Sequence, residues 1–395
     1  MNFLKNYAPS KQKYSLLGKA LAISTFLTIM SQLPQIVDWG LSSRISQIVW
    51  IILFAYLAIV TKGHIHFQKL KFTMVIVFSY AMFSLIGTLI NNSNYYKTSL
   101  FSAVFLSAFI LLIGYNIGEH ITSEDFKLCI KSYVASALIL ALDIYFTIFF
   151  RADLSAPGYL YLSKNSAAVI LFTAFLAVLV YMWELKKSLS KLVALLIIFI
   201  LLFVVIIMKT RAMIICLPVV ALVCVIKSPL HRKVKLSIVF LCVAFLLLLM
   251  VEEFYNLFIN QIFLDGRSDD LDSASSGRFD QWGNLFNNLK GNILIGNGRT
   301  EQESLILTAL IQCGVPMGIL IISYGAWPML YAFNQFRKGM DNEKFLLFIV
   351  ALVYFIDAIF EQLAPFAPGA RCFFLWLILG IFMAKNERQY NQNIN

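Results

Sequence analysis

The chain has 395 residues, of which 60% are Ala, Val, Ile, Leu, Met, Phe, Trp, Tyr or Cys and only 13% are charged. Soluble domains hold roughly 45–50% apolar and about 25% charged residues, so a water-soluble globule is excluded and an integral membrane protein is expected. The formal charge of +11 then asks which membrane face the positive residues occupy, and no nucleic-acid partner is expected.

A bilayer is crossed by about 20 mainly apolar residues in a helix. Twelve such stretches are predicted, at 16–33, 45–60, 72–90, 99–114, 128–150, 165–183, 192–208, 212–226, 236–251, 316–335, 345–360 and 372–384. The expected fold is all-α and polytopic, a single transmembrane domain over 1–395 with one large extracytoplasmic loop. No pattern of small residues marks a cleavage site after the first stretch, which is therefore expected to be retained. Cys129, Cys216, Cys224, Cys242, Cys313 and Cys372 are scattered singly without metal-ligand spacing and read as small core residues.

With the amino terminus in the cytoplasm, the spans put nineteen Lys and Arg inside and eleven outside, so both termini are expected to be cytoplasmic. The residue types divide unequally: seven of ten arginines but only four of 22 lysines lie outside. A guanidinium is a planar fork that grips phosphate oxygens in pairs, whereas an ammonium is a point charge. The segregation predicts outer arginines that hold a phosphorylated ligand, the alternative being arginines that snorkel to outer-leaflet headgroups. Asp143, inside the fifth span, has no partner near it in sequence and is left without a role.

The one long polar interval, residues 252–315, is expected to be functional. From Ser276, helical spacing puts Phe279, Trp282, Phe286 and Leu289 on one face. Ser276 is the expected N-cap, which places Arg278 in the first turn beside amides able to bind an anion. Gly291, Gly296 and Gly298 mark either a close backbone approach to a ligand or an ordinary loop. Glu301 to Cys313 is too short to span and is broken from the tenth span by Gly314 and Pro316. Glu301 and Glu303 at its start supply either a carboxylate base or favourable acids at a helix amino terminus.

Asp357 and Glu361 share a face at the outer end of the eleventh span, and Arg371 opens the twelfth. They form either a functional cluster or a pair tying two spans together. His64, His66, His120 and His231 all fall in predicted cytoplasmic loops, leaving an outward site to work with carboxylates and arginines. Nucleotide-binding, HExxH and GxSxG motifs are absent from the sequence, and neither metal nor cofactor is expected.

Four places, in order, resemble the O-antigen polymerase and ligase superfamily over roughly residues 155–384. They are Lys164-Asn165 before a small-residue helix, Lys209-Thr210-Arg211-Ala212, Ser276-Gly277-Arg278 with Trp282 and Gly296-Asn297-Gly298, and Glu303 through Gly314 and Gly318. The resemblance implies an undecaprenyl-pyrophosphate-linked oligosaccharide as substrate, at the outer face of a bacterial inner membrane. It implies that Arg211 and Arg278, with Arg299 or Arg371, hold the pyrophosphate, and that Lys164, Asn165 and Glu361 line the substrate site. Arginines at the departing phosphates stabilise charge without a metal, and Glu303 takes the proton of the attacking sugar hydroxyl in an inverting transfer.

Ligases of the superfamily carry His-Asn where this chain has Glu303-Ser304, which favours a polymerase of O-antigen or capsule repeat units. A chain-length regulator is then an expected partner protein. A ligase-type glycan transferase and a flippase of lipid-linked oligosaccharide are the alternatives, although no six-plus-six internal repeat, common in transporters, is present.

Overall fold

Backbone amides and carbonyls withdrawn from water must pair within their own segment, and each long apolar run accordingly folds as a helix. The computed structural model describes residues 14–67, 70–91, 94–150, 161, 163–226, 232–264, 277–299, 301–339, 341–366 and 369–394. The long helices are α1 (Leu16–Met30), α2 (Ser42–Val60), α3 (Lys71–Asn91), α4 (Ser99–Gly118), α5 (Ser123–Ile144) and α6 (Lys164–Tyr181). They continue as α7 (Ser188–Ile207), α8 (Arg211–Ile226), α9 (Arg232–Leu248), α10 (Leu305–Lys338), α11 (Asn342–Phe360) and α12 (Phe373–Ile394).

Each of the twelve expected stretches lies on one of these helices, but among the described residues seven helices are long and apolar enough to cross a bilayer: α2 to α7, with α5 extended by a wide turn to Phe149, and α10. An eighth results if α9 and the helix Glu252–Phe263, bent by 103°, count as one broken span. The others fall short for local reasons. α1 and α8 have only 15 and 16 residues, α11 carries Glu343, Lys344 and Asp357, and α12 turns polar from Lys385 onward. The molecule is a polytopic, all-helical membrane protein.

α4 and α12 form the most intimate helix pair. Gly114 and Gly118 on α4 and Gly380 on α12 let the backbones touch: a Cβ on Gly114 would stand 2.5 Å from the Leu377 carbonyl oxygen, and one on Gly380 2.5 Å from that of Leu111. Where burial of apolar surface does not separate lipid from protein, such close approach is what holds helices together. Gly114→Leu should cost about 1–3 kcal/mol by overpacking, read as a lower melting temperature of the purified protein. Gly283→Ala, where the added carbon meets nothing within 4 Å, should leave the melting temperature unchanged.

α7 and α9 lie at the periphery and turn Leu192, Phe199, Leu236, Phe240 and Leu247 outward, as lipid-facing helices do. Cys242 is exposed on α9, whereas the other five cysteines are buried as expected.

Side-chain ties define two ends of the bundle. At one end Tyr161 donates to the Gln32 carbonyl at 2.7 Å, and Asn91 to that of Gly296 at 3.0 Å. This end gathers the close of α1 and α3 and the start of α6. At the other end Lys127 pairs with Glu184 at 3.1 Å and Lys385 with Glu343 at 2.9 Å, joining the starts of α5 and α11 to the close of α6 and to α12. The start of α1 is there too, where the Ser15 amide donates to Asp125 at 2.8 Å.

α10 is a bent hairpin, not a straight rod. Gly314 takes φ 72° and ψ 171°, outside the helical region, and the arm Leu305–Cys313 folds back along the helix that follows. Gly318 accommodates it, since a Cβ there would lie 2.8 Å from the Ala309 carbonyl oxygen, and Leu305 reaches the level of Gly325. The break frees carbonyls that a membrane protein must satisfy internally. The amides of Asn297 and Gly298 donate to Ile311 and Gln312 at 3.0 Å each, and that of Val315 to Ile293 at 2.8 Å. The expected break at Gly314 and Pro316 is thus present, and the segment before it belongs to the helical body.

Two expectations for the long loop need correction. The single helix from Ser276 is two short ones, Arg278–Gly283 and Leu285–Leu289, parted at Asn284. Of its expected apolar face, Leu289 is buried while Trp282 and Phe286 are exposed. Ser276 lies outside the described residues. The N-cap is Gly277 at φ 77°, a left-handed conformation that a serine would adopt only with strain.

Candidate functional site

The foot of the α10 arm gathers the charged residues of the first end. Gly325, level with Leu305, lies ten residues from Val315, so the arm begins about 15 Å below the hairpin tip. Pro365 and Phe366 come within 3.3 Å of the Cβ position of the same glycine, so the chain between α11 and α12 meets the arm at this depth.

Arg371 anchors that connection. Its Nη2 lies 2.7 Å from Asp357 Oδ2 and its Nη1 3.0 Å from Glu361 Oε2. Asn165, in the first turn of α6, donates to the other Glu361 oxygen at 2.6 Å. Asp357 is 1% exposed and Arg371 7%, so the pairing neutralises charges that burial would otherwise make costly. α11 ends at Phe360, leaving Glu361 on extended backbone. Arg371 nevertheless reaches both carboxylates, the tie between two spans that the sequence offered as one alternative.

Arg278 forms the second centre. Its Nη2 lies 2.9 Å from Glu303 Oε2 and donates at 2.9 Å to the carbonyl of Phe360, the last residue of α11. A cation at the negative end of a helix is favourable, and the guanidinium also sits 5.8 Å from the Phe360 ring centroid. Glu303 is half exposed, and its amide donates to Gln281 Oε1 at 3.2 Å. The two centres adjoin, because Phe360 and Glu361 are consecutive.

Arg211 opens α8, which packs on α6 and α11. The turn before it is tight: Lys209 takes φ 52°, and Lys209 and Thr210 are buried. Lys164 is in the first turn of α6 beside Asn165. Arg299 stands apart, exposed on the strip that caps the hairpin, with no ion pair among the described residues. The Asp143 carboxylate receives a weak contact from Gln35 at 3.4 Å.

Sequence reasoning missed the polar residues that seat the loop. Tyr95 donates to the Gly296 carbonyl at 3.0 Å alongside Asn91. Burial raises the Tyr95 phenol above its ordinary range, so it stays a donor at neutral pH. The signal was the amide-rich run ending the third span, and Gly296 and Gly298 were its complement. A side-chain carbon on Gly298 would stand 2.7 Å from the Tyr95 ring.

A polar cleft of about 570 Å³ opens at the opposite end, lined by Lys127, Tyr181, Glu184 and residues 341–343. Its three carboxylates are each held by a lysine: Glu184 by Lys127, Asp341 by Lys344 and Glu343 by Lys385. It is a set of ties between helices, remote from the arginine centres. His64, His66 and His120 lie toward this end, where His66 meets Glu119 at 3.3 Å; His231 is outside the described residues.

A polytopic helical bundle with a recessed cluster of arginines and carboxylates is the class of protein that these features define. Residues 196–322 match the O-antigen ligase family model, in accord with the O-antigen polymerase and ligase superfamily, whose members are glycosyltransferase-like enzymes acting on lipid-linked oligosaccharides. The matched segment runs from α7 to the middle of α10 and contains Arg211, Arg278, Arg299, Glu303 and Gly314, but not Asn165, Glu361 or Arg371. No curated protein matches the chain.

Proposed function

We propose that this protein is a polysaccharide polymerase. It transfers a glycan from undecaprenyl pyrophosphate to a sugar hydroxyl of a second lipid-linked repeat unit, at the outer face of a bacterial inner membrane. The observation that carries the reading is the pair of Arg278 and Glu303 at the foot of the arm, inside the segment that matches the O-antigen ligase family. Arginine supplies what a departing pyrophosphate needs, fixed positive charge in a site shielded from water. An adjacent carboxylate supplies a base for the attacking hydroxyl.

The reaction then needs no metal and inverts the anomeric centre, since the hydroxyl attacks opposite the leaving phosphate. Arg278 and Arg211 hold the pyrophosphate, Glu303 accepts the proton, and Lys164, Asn165 and Arg299 contact the substrate around them. Glu361 and Arg371 form the floor. Twelve crossings with both termini cytoplasmic are supported by the side-chain ties, which place the start of α1 and the later half of α12 at one end of the bundle. Residues 252–315 then lie on the outer side, where a chain-length regulator would also act.

A ligase is the second reading, favoured by the description of the matched family. Surface polysaccharide from cells lacking the gene separates the two. A polymerase predicts loss of the ladder with retention of single-repeat glycan, restored by the wild-type protein. A ligase predicts loss of every capped form, single repeats included, and that outcome would overturn the polymerase.

A further inference from the structure

The helix Glu252–Phe263 turns 103° from the axis of α9. α9 begins with Arg232, Lys233 and Lys235, packs on α8 at the edge of the bundle and turns Leu236, Phe240 and Leu247 to lipid. From Arg232 to Val251 the chain runs twenty residues, about 30 Å of helix, which is the thickness of a hydrocarbon core. The basic start belongs among the headgroups of one membrane face, so the bend falls at the other. A helix that leaves a span there at nearly a right angle runs along the membrane surface.

Its side chains sort as that position requires. Every fourth residue falls nearly in line on a helix whose turns are wide from Asn256 onward. Phe254 and Phe258 stack with ring centroids 6.0 Å apart, and both meet the ring of Phe245 on α9, at 5.8 and 4.8 Å. Phe245 lies six residues before Val251, about 9 Å below the bend, so this strip, with the buried Ile262, faces the hydrocarbon side. The opposite strip is Glu252, Asn256 and Asn260, all exposed, with Asn260 donating to Asn256 at 2.9 Å. On one flank stand Tyr255, 46% exposed, and the half-buried Ile259 and Phe263. Met250 and Val251, exposed at the bend, join that flank to the lipid-facing surface of α9.

We propose that the helix Glu252–Phe263 is an interfacial anchor, lying in the plane of the membrane. Phe254, Phe258 and Ile262 point toward the acyl chains, Tyr255, Ile259 and Phe263 lie at headgroup level, and Glu252, Asn256 and Asn260 stand in water. The partner is a lipid surface, and its charge is not what is recognised. Interfacial helices that seek anionic lipid carry Lys and Arg on the polar face, whereas the only charges here are Glu252 and Glu253. Apolar burial and the tether to α9 hold the helix down. Resting on the transfer reading above, the anchor gives the long loop its level: it leaves α9 at headgroup depth, where the pyrophosphate of a lipid-linked glycan lies.

The test uses the full-length protein with Cys242→Ser, since the other five cysteines are buried. Tyr255→Cys, Asn256→Cys, Ile259→Cys and Asn260→Cys are spin-labelled one at a time in nanodiscs of phosphatidylcholine, with and without phosphatidylglycerol. Collisions of each label with oxygen, which concentrates in lipid, are compared with those of a water-soluble nickel chelate. The oxygen-to-nickel ratio at Tyr255→Cys and Ile259→Cys should exceed that at Asn256→Cys and Asn260→Cys several-fold, equally in both lipid mixtures. Phe258→Asn, which removes a ring from Phe245, should raise nickel access at the Tyr255→Cys label.

Nickel access at all four positions would lift the helix into water, and oxygen access at all four would make it part of a broken span. Shielding of Tyr255→Cys and Ile259→Cys from both reagents would mean that protein, a second copy of this chain included, covers the flank. Each of these results overturns the anchor, as does a depth that increases only with phosphatidylglycerol. Depth is read without turnover, so the transfer reading can fail with the anchor intact, and the anchor can fail while Arg278→Ala still abolishes the ladder.

Discussion

Arg278→Ala should abolish long-chain polysaccharide while leaving the amount of protein in the membrane close to that of wild type. Removing one preorganised donor from a developing negative charge typically costs about 10²–10³ in rate, enough to empty a polysaccharide ladder of its upper rungs. Folding should survive because the partner left behind, Glu303, is half exposed and can take its charge into water. Arg278→Lys should rescue poorly: the fork now serves Glu303 and the Phe360 carbonyl from one nitrogen, and an ammonium cannot reproduce two-oxygen contact with phosphate. Arg211→Ala should behave alike. The measurements are a gel profile of surface polysaccharide and a membrane blot of the same cells; normal chain length in both variants would sink the assignment.

Much of this architecture was legible in the sequence because membrane helices announce themselves locally. Twenty apolar residues leave the backbone one way to satisfy its hydrogen bonds, and every expected span does fall on a helix. Local patterns reach less far where boundaries depend on partners. α12 runs past Ala384 to Ile394 because charge does not stop a helix, and the helix expected from Ser276 breaks at Asn284. The packing of α4 on α12 joins Gly114 to Leu377, a contact between opposite ends of the chain that no window of sequence contains, although the Gly114 and Gly118 spacing was available as a signal.

The site divides in the same way. Separating arginines from lysines by predicted side pointed to seven outer arginines, Arg278 and Arg371 among them, since the two cations differ in chemistry. Spacing offered the Arg371 tie to Asp357 and Glu361 as one alternative, but not the grip of Arg278 on Glu303 and the Phe360 carbonyl, which come from distant segments. Asn165, Glu361 and Arg371 meet only after α6, α11 and α12 pack.

The two arginine centres should therefore fail in opposite ways. Arg371→Ala removes the only ion-pair partner of Asp357 among the described residues, a carboxylate 1% exposed, and takes from Glu361 the cation that neutralises it, the neutral Asn165 remaining. Breaking a buried pair by deleting one partner costs about 3–5 kcal/mol, whereas replacing both partners with apolar residues of similar size is often neutral. Arg371→Ala should thus deplete the protein from the membrane and sharply lower its melting temperature, and Arg371→Met with Asp357→Leu should recover much of both. A single variant that is abundant, stable and yet inactive would show instead that Arg371 is spent on the substrate. Recovery in the double variant would mean that the loss in Arg371→Ala came from a buried carboxylate left unpaired, and that the pair serves to hold the connection between α11 and α12.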